Sequence, residues 1–330
     1  MRKLGVAVAM ALFAQSAVAQ EVVLVWDPNP EQALLGYHVY RSEASGSGYA
    51  RLTLEPIPQP QYRDQAVQFA TTYYYVVSAV GPGSVQSSFS NEVSIHLGPF
   101  FAHFVGGAGL ASRLLFQNPS QQTVEGRLQF RDPAGLPLVL VVDGQAVDGA
   151  LDFSIPAMGS RSFGVVEDGE LLQGSVTVQA DSELGGVLLL SGLLGETAVA
   201  AAVPLASAVL PVEWDVAAGL STGVAMANPG SEPAEVELGL RDLDGRLVAQ
   251  SSTSLLIEAG GQIARFPHEV IDLVIENWPT FAGSLEIRSS RPLSLLGLRL
   301  APGGLVGLPV TEVKWTPPEE PPLEGSPRRP

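Results

Sequence analysis

Residues 109–135 read GLASRLLFQNPSQQTVEGRLQFRDPAG, and residues 219–245 read GLSTGVAMANPGSEPAEVELGLRDLDG, so one stretch occurs twice at an offset of 110. Gly109, Leu110, Asn118, Pro119, Leu128, Arg131, Asp132 and Gly135 recur as Gly219, Leu220, Asn228, Pro229, Leu238, Arg241, Asp242 and Gly245, with no gap. In each copy apolar positions (Leu128-x-Phe130; Val236-x-Leu238-x-Leu240) alternate with Arg127, Glu235 and Glu237, the period of a half-buried strand. Asp132-Pro133-Ala134-Gly135 and Asp242-Leu243-Asp244-Gly245 follow, with Asp first and Gly last as a type I turn requires, so each copy is expected to close a hairpin there. Further on, Gly174-Ser175-Val176-x-Val178 matches Gly283-Ser284-Leu285-x-Ile287, and Val203-Pro204 echoes Leu308-Pro309, which extends the copies to residues 100–205 and 211–315. Only the second copy contains Pro267-His268-Glu269-Val270-Ile271-Asp272-Leu273-Val274-Ile275. Its apolar spacing behind a leading Pro and an early Glu predicts one short helix near 267–276, against a loop in the first copy.

The 330 residues are 46 % hydrophobic, enough for packed cores in two or three domains. Charged residues make up only 16 %, while 35 Gly and 26 Pro supply the turns that many short strands need. Together with the duplication this predicts an all-β chain of tandem β-sandwiches. The N-terminus has Arg2 and Lys3, the apolar run Leu4 to Ala14, and Ala17-Val18-Ala19, which reads as a secretory signal over residues 1–19. The expected location is therefore secreted: extracellular, cell surface or periplasm. The absence of Cys excludes a lipid-anchored Cys and leaves core burial to hold an exported chain together. With Arg2 and Lys3 removed, 16 basic side chains face 34 acidic ones, a net −18 that repels a phosphate backbone and argues against nucleic acid. The apolar region from Leu184 to Val212 is broken at Glu196 and Pro204, short of the ~18 residues a spanning helix wants, so no transmembrane segment is expected after signal removal. The tail TPPEEPPLEGSPRRP, residues 316–330, has no apolar period and should be extended or disordered.

Ahead of the duplication, residues 20–97 alternate as EVVLVW, GYHVYRS, TTYYYVVSAV and SNEVSIHL, separated by Pro, Gly, Ser and Asn clusters. This segment resembles a fibronectin type III domain of the bacterial secreted kind, through Trp26, Gly36-Tyr37-x-Val39-Tyr40-Arg41, Thr71-x-Tyr73 with Val77 and Ala79, and Ser90-Asn91-Glu92-Val93. The resemblance implies a β-sandwich with strand C beside strand F and a short or missing strand A. The loop that carries the integrin-binding tripeptide in some relatives reads Gly81-Pro82-Gly83-Ser84, so that adhesion chemistry is not implied. Leu97-Gly98-Pro99 reads as a linker to the first copy. The later patterns STGVAMANP, RDLDGRLV, AGGQIARF and GSLEIRSSRPLSLLGLRL resemble an uncharacterised β-sandwich module of secreted bacterial proteins, which implies a fold and a location and no reaction.

Few residues suggest chemistry. Gly219-Leu220-Ser221-Thr222-Gly223 fits the G-x-S-x-G of a hydrolase nucleophile elbow, with His268 and Asp242 or Asp272 as triad partners. That chemistry needs a strand, a turn and a helix around the serine, whereas an apolar strand follows here, and the first copy has Ala111 and Arg113 instead. A strand-opening turn is the favoured reading. Asp242 and Asp244 offer two carboxylates but lack the rest of a calcium loop. His38, His96, His103 and His268 have no metal-ligand spacing, and no phosphate-loop or dinucleotide fingerprint appears, so no metal or cofactor is expected. All seven tyrosines lie between residues 37 and 75. If strand C pairs with strand F as the resemblance implies, His38, Tyr40 and Tyr74 share an outer face able to stack on sugar rings or meet a protein. The expected function is non-catalytic binding, adhesion or spacing with an envelope protein or polysaccharide as partner. The alternatives are a carbohydrate-binding accessory protein of a secreted hydrolase system and a serine hydrolase using Ser221.

Overall fold

The alternation in TTYYYVVSAV becomes a strand whose two faces meet different surroundings. The computed structural model describes residues 22–313, apart from 30–33, 68–70, 167–168, 193–194, 231, 272 and 275–276. The signal segment, the Pro-rich tail and Asp272 lie outside the described residues. The first sandwich comprises β1 (Val22–Val25), β2 (Gly36–Ser42), β3 (Ala50–Arg51), β4 (Gln61–Asp64), β5 (Thr71–Val80) and the start of β6 (Val93–Gly106). β1 pairs with β4, and β3-β2-β5-β6 form the facing sheet, so strands C and F are adjacent as expected. Among the described residues β1 has no neighbour besides β4. Tyr73, Tyr75, Val77 and Ala79 point into the core, where Trp26 meets Tyr37 edge-on at 5.2 Å. Buried Asp64 on β4 accepts hydrogen bonds from Arg41 at 2.8 Å and the Tyr75 hydroxyl at 2.9 Å, tying the two sheets together.

The second sandwich adds β7 (Ala111–Gln117), β8 (Val124–Arg131), β9 (Val139–Val142), β10 (Gln145–Asp148), β11 (Ala150–Ile155), β12 (Ser160–Val166), β13 (Leu172–Ala180), β14 (Gly185–Gly192) and β15 (Gly195–Ala200). The expected linker at Leu97-Gly98-Pro99 does not exist as a break, because β6 runs straight through it. Gly98 and Pro99 sit where the β6–β13 register shifts, at the kind of irregularity where a strand tolerates proline. One seven-stranded sheet, β11-β8-β13-β6-β5-β2-β3, therefore serves both sandwiches. Directly opposed residues of antiparallel strands share a face. Tyr74 opposes Ser94, and two residues further along β6 the same face runs through Ala180, Gly126 and Phe153. In the first sandwich that face is partly covered, with His38, Val76 and Ser78 buried on it, and it becomes the core face of the second. The two sandwiches thus lie on opposite faces of the shared sheet.

The third sandwich comprises β16 (Leu205–Asp215), β17 (Ser221–Ala227), β18 (Ala234–Asp242), β19 (Leu247–Gln250), β20 (Leu255–Ile257), β21 (Gln262–Arg265), the helical turn α1 (Pro267–Val270), β22 (Thr280–Ala301), β23 (Gly304–Leu308) and β24 (Thr311–Glu312). The helix expected near 267–276 is this single turn, with the Glu269 carboxylate accepting from the Phe266 amide at 2.9 Å. The first half of β22 pairs with β16 and β18, and its second half with β17 and β23. In the second sandwich β13 and β14 divide those two roles.

The residues that recur in sequence have matching jobs. Asn118 and Asn228 are fully buried. The Asn118 amide donates to the carbonyls of Gln122, Ile155 and Pro156 at 2.8, 3.0 and 3.0 Å, while its oxygen accepts from the Ser120 amide. Asn228 does the same with Glu232, Ile257 and Glu258 at 2.8, 3.0 and 3.2 Å, and with the Gly230 amide. Each Asn-Pro pair is therefore a corner lock that joins a strand end to a distant segment. Both Asp turns form: Asp132 accepts from Ala134 and Leu136, Asp242 from Asp244 and Arg246, and Gly135 and Gly245 take φ of 83° and 79°. The second closes the expected hairpin, β18 with β19, whereas after the first the pairing stops at the Arg131–Pro137 bridge and β9 passes into the other sheet.

The third sandwich is fastened to the second. Every residue of β6 from Phe100 to Val105 is buried, whereas β16 buries only alternate positions. The extra cover on β6 comes from β17, β21 and β22, and one apolar cluster runs from the first two sandwiches into Ala225, Ala227 and Leu296. The Gln262 amide donates to the Pro133 carbonyl at 3.0 Å, and the Gln262 side chain meets His103 Nδ1 at 2.7 Å. Gly135 packs so closely that a Cβ there would stand 2.4 Å from the Ala259 carbonyl oxygen.

Candidate functional site

Alternation along β2 and β5 places His38, Tyr40 and Tyr74 on one face, as the pairs His38–Ser78, Tyr40–Val76 and Ser42–Tyr74 show. The three differ in availability. His38 is buried, its Nδ1 2.9 Å from the Thr53 hydroxyl, and burial followed by the charge of Arg51 holds its pKa below the usual histidine value. It supports the face and does not form its surface. Tyr40 and Tyr74 are half-buried. The Tyr40 hydroxyl donates to Gln86 at 2.8 Å, and its ring lies 4.8 Å from Phe89, which in turn lies 5.6 Å from Tyr49. Phe89 keeps 46 % of its surface exposed, so the face is capped by an aromatic ring that remains accessible. The loop bearing Tyr49 is pinned by Glu92, which accepts from Tyr49, Ser45 and the Gly46 amide; burial opposes its ionisation, but these bonds keep its carboxyl below the ordinary range.

The second sandwich rises from this same face of the shared sheet, so the aromatic face is a floor and the end of the second sandwich a wall. Beside Ser94, which neighbours Tyr74 on β5, opens a cleft of about 660 Å³ lined by Glu125, Arg127, Asp152, Arg161 and Asp181 among others. Clefts of this size at junctions between domains are where small polar ligands usually sit. Arg127 and Asp152 meet through two hydrogen bonds, which hold the Asp152 carboxyl below its ordinary pKa. Burial pushes Asp181 upward, only partly offset by the hydrogen bond from the Glu125 amide. Asp152, Arg127, Gln179 and Leu97 are in register, so the Arg127–Asp152 pair lies on the opposite face of the shared sheet from Tyr74.

Among the described residues the hydrolase candidates form no hydrogen-bonded triad. Ser221 opens β17, an extended strand with no helix after it, on the opposite face from Thr222, Val224 and Met226, of which Val224 and Met226 line the third core. His268 belongs to that core's rim, stacked on Phe266 at 5.7 Å and beside Trp214 at 6.2 Å. Among the described residues Ser221 makes no hydrogen bond to a histidine or carboxylate, and Asp242 is engaged in its turn. A fluorophosphonate probe is expected to label the wild-type chain and Ser221→Ala alike; labelling lost in the variant would contradict this. Among the described residues no group of three or more His, Cys, Asp or Glu is placed to hold a metal ion, and no helix is long and apolar enough to cross a membrane.

The chain is an all-β protein of stacked β-sandwiches, the first of them fibronectin type III-like. No protein family matches the sequence, and no curated protein is found similar to it. Among solved structures it is similar to an Fn3-like protein from Clostridium thermocellum, at 29 % identity over 29 % of this chain and 88 % of that one, with a TM-score of 0.22. It is also similar to the α-L-rhamnosidase of Dictyoglumus thermophilum, at 11 % identity over 82 % of this chain and 45 % of the enzyme, with a TM-score of 0.29. A third likeness is to the FN1–FN3 domains of chicken CNTN1, at 9 % identity over 94 % and 99 % of the two chains, with a TM-score of 0.22. The chain spans less than half the length of the rhamnosidase.

Proposed function

We propose that this is an exported, non-catalytic binding protein in which two copies of one sandwich module carry a fibronectin type III-like domain and hold its aromatic face toward a partner in the cell envelope. The observation that carries this reading is the aromatic cluster itself: Tyr40, Tyr49 and Phe89 gather on the face of the first sandwich that also bears Tyr74, and Phe89 remains exposed. The continuous strand β6 fixes that face relative to the second sandwich, since neither sandwich can turn without breaking the shared sheet. Rigid presentation lowers the ordering cost of binding.

A second reading, a carbohydrate-binding accessory protein, draws on the half-exposed rings of that face. Ring faces stack on the apolar faces of sugars. The mature chain, residues 20–330, is to be tested for retention on envelope fractions and on neutral insoluble polysaccharides. Retention is expected to fall at least about tenfold in Tyr40→Ala/Tyr74→Ala, the loss of ~1.4 kcal/mol that removing two ring contacts implies. Unchanged retention, with an unchanged far-UV spectrum, would remove this face from consideration. Retention on envelope but on no polysaccharide would leave a protein partner.

A further inference from the structure

His103 stands where the second and third sandwiches are fastened, and the chemistry of that joint depends on its charge. Its ring is enclosed between β6 and the covering strands, and its one hydrogen bond is to Gln262 across the joint. Gln262 is also the residue whose amide holds the Pro133 carbonyl of the opposing hairpin. The elements around the ring bring no compensating charge. β17 and β22 contribute Ala225, Ala227 and Leu296, β13 contributes Gln173 and Ser175, and the Arg299 of β22 is engaged with Glu213. The charged groups at the margin are Arg131 and Asp132 of the hairpin, Glu258 of the facing turn and Arg265 of β21. Arg131 is itself a largely buried cation that packs on Gly260.

We propose that the joint is acid-labile: protonation of His103 releases the third sandwich from the second while each sandwich stays folded. An imidazolium there would sit in an uncharged enclosure with no carboxylate to pair with, a cost that opening the joint removes by returning the ring to water. Release also parts β23 from β15, where the Gly307 amide donates to the Thr197 hydroxyl at 3.2 Å, and leaves as the covalent connection the irregular segment after β15, which has no strand of its own before Leu205.

Burial alone holds the His103 pKa down to about 4 in the closed joint, against 6.5 in water. The closed state thus keeps its full advantage above pH 6.5 and loses it as the pH falls toward 4. At pH 5 the closed-to-open ratio should be about thirtyfold lower than at pH 7.5.

Amide hydrogen exchange on the full chain reads this directly, because the Gln262 amide is bonded across the joint. After correction for the intrinsic rate, the opening constant at Gln262 is expected to rise about thirtyfold between pH 7.5 and 5. The amides of β18 and the first half of β22, bonded within the third sandwich, should not follow it. In His103→Gln, which keeps a hydrogen-bonding side chain and cannot be protonated in this range, the rise should vanish. Were that variant misfolded, the comparison of Gln262 with β18 in the wild-type chain still decides. Equal pH dependence at both places, or the same rise in His103→Gln, overturns the proposal.

Discussion

Asn228→Asp is expected to destabilise the third sandwich more than Asn228→Ala does at pH 7, and the order should narrow in acid. The native amide offers its two hydrogens to three carbonyl oxygens, those of Glu232, Ile257 and Glu258, from a fully buried position. Alanine leaves those carbonyls and the Gly230 amide without their partner, a cost of about 3 kcal/mol given ~1–3 kcal/mol for each buried group left unsatisfied and some relaxation toward water. Aspartate keeps the acceptor for Gly230 but turns a carboxylate, with no hydrogen to give, toward three carbonyl oxygens. Its charge is then buried against partial negative charge, so its pKa must rise and its ionised form must destabilise. A group whose folded pKa is raised is tolerated below that pKa, so Asn228→Asp should recover as the pH falls while Asn228→Ala should not. Urea unfolding followed by tryptophan fluorescence suits the test, because Trp214 and Trp278 both report on the third sandwich. Equal midpoints for the two variants from pH 7 to pH 4 would show that Asn228 is not the donor described.

The same lock explains what sequence reasoning reaches and what it does not. The recurrence of Asn118-Pro119 as Asn228-Pro229 is visible in the sequence, but two of the three carbonyl partners lie 37 and 38 residues onward in one copy and 29 and 30 in the other. Only the fold brings them to the side chain. Turns and alternation are legible because their causes are local: Asp132 and Gly135 make their hydrogen bonds within four residues. The face shared by Tyr40 and Tyr74 is legible for the same reason once β2 and β5 are paired. Phe89 is not, since its place depends on how a later segment folds back over that face. Leu97-Gly98-Pro99 misleads because Gly and Pro signal a break, and nothing local says that a register shift in a partner strand accommodates them. For the joint a signal did exist. Where the first copy has Arg113, Leu115 and Gln117 on one face of its strand, the second has Gly223, Ala225 and Ala227. Shrinkage at every second position on one strand face marks close approach by another layer, and Ala225 and Ala227 are buried against the neighbouring sandwich.

Gly283→Ala should be the most damaging single-methyl change in the third sandwich. Gly283 faces Asp242 on β18 and Val212 on β16, and a Cβ built on it would lie 2.0 Å from the Arg241 carbonyl oxygen and 2.7 Å from the Phe281 ring. The opposing atom is backbone, so relief requires β18 and β22 to part, and overpacking of this kind costs about 3 kcal/mol. Its φ is not left-handed, so the glycine is there for space and not for conformation. Replacing it would by itself favour folding by ~0.5–1 kcal/mol through the unfolded chain, and the observed loss is what remains after that gain. The matching position in the second sandwich is tighter still: a Cβ on Gly174 would stand 1.9 Å from the Arg131 carbonyl oxygen. Gly174→Ala should therefore behave as Gly283→Ala does, one lowering the stability of the second sandwich and the other that of the third. Gly303, with nothing within 4 Å of a built Cβ, supplies the control, and Gly303→Ala should shift the urea midpoint by less than the equivalent of ~0.5 kcal/mol. If Gly283→Ala matches that control, β22 must lie further from β18 than the pairing of Gly283 with Asp242 requires, and the spatial reason for the recurring Gly-Ser pair fails with it.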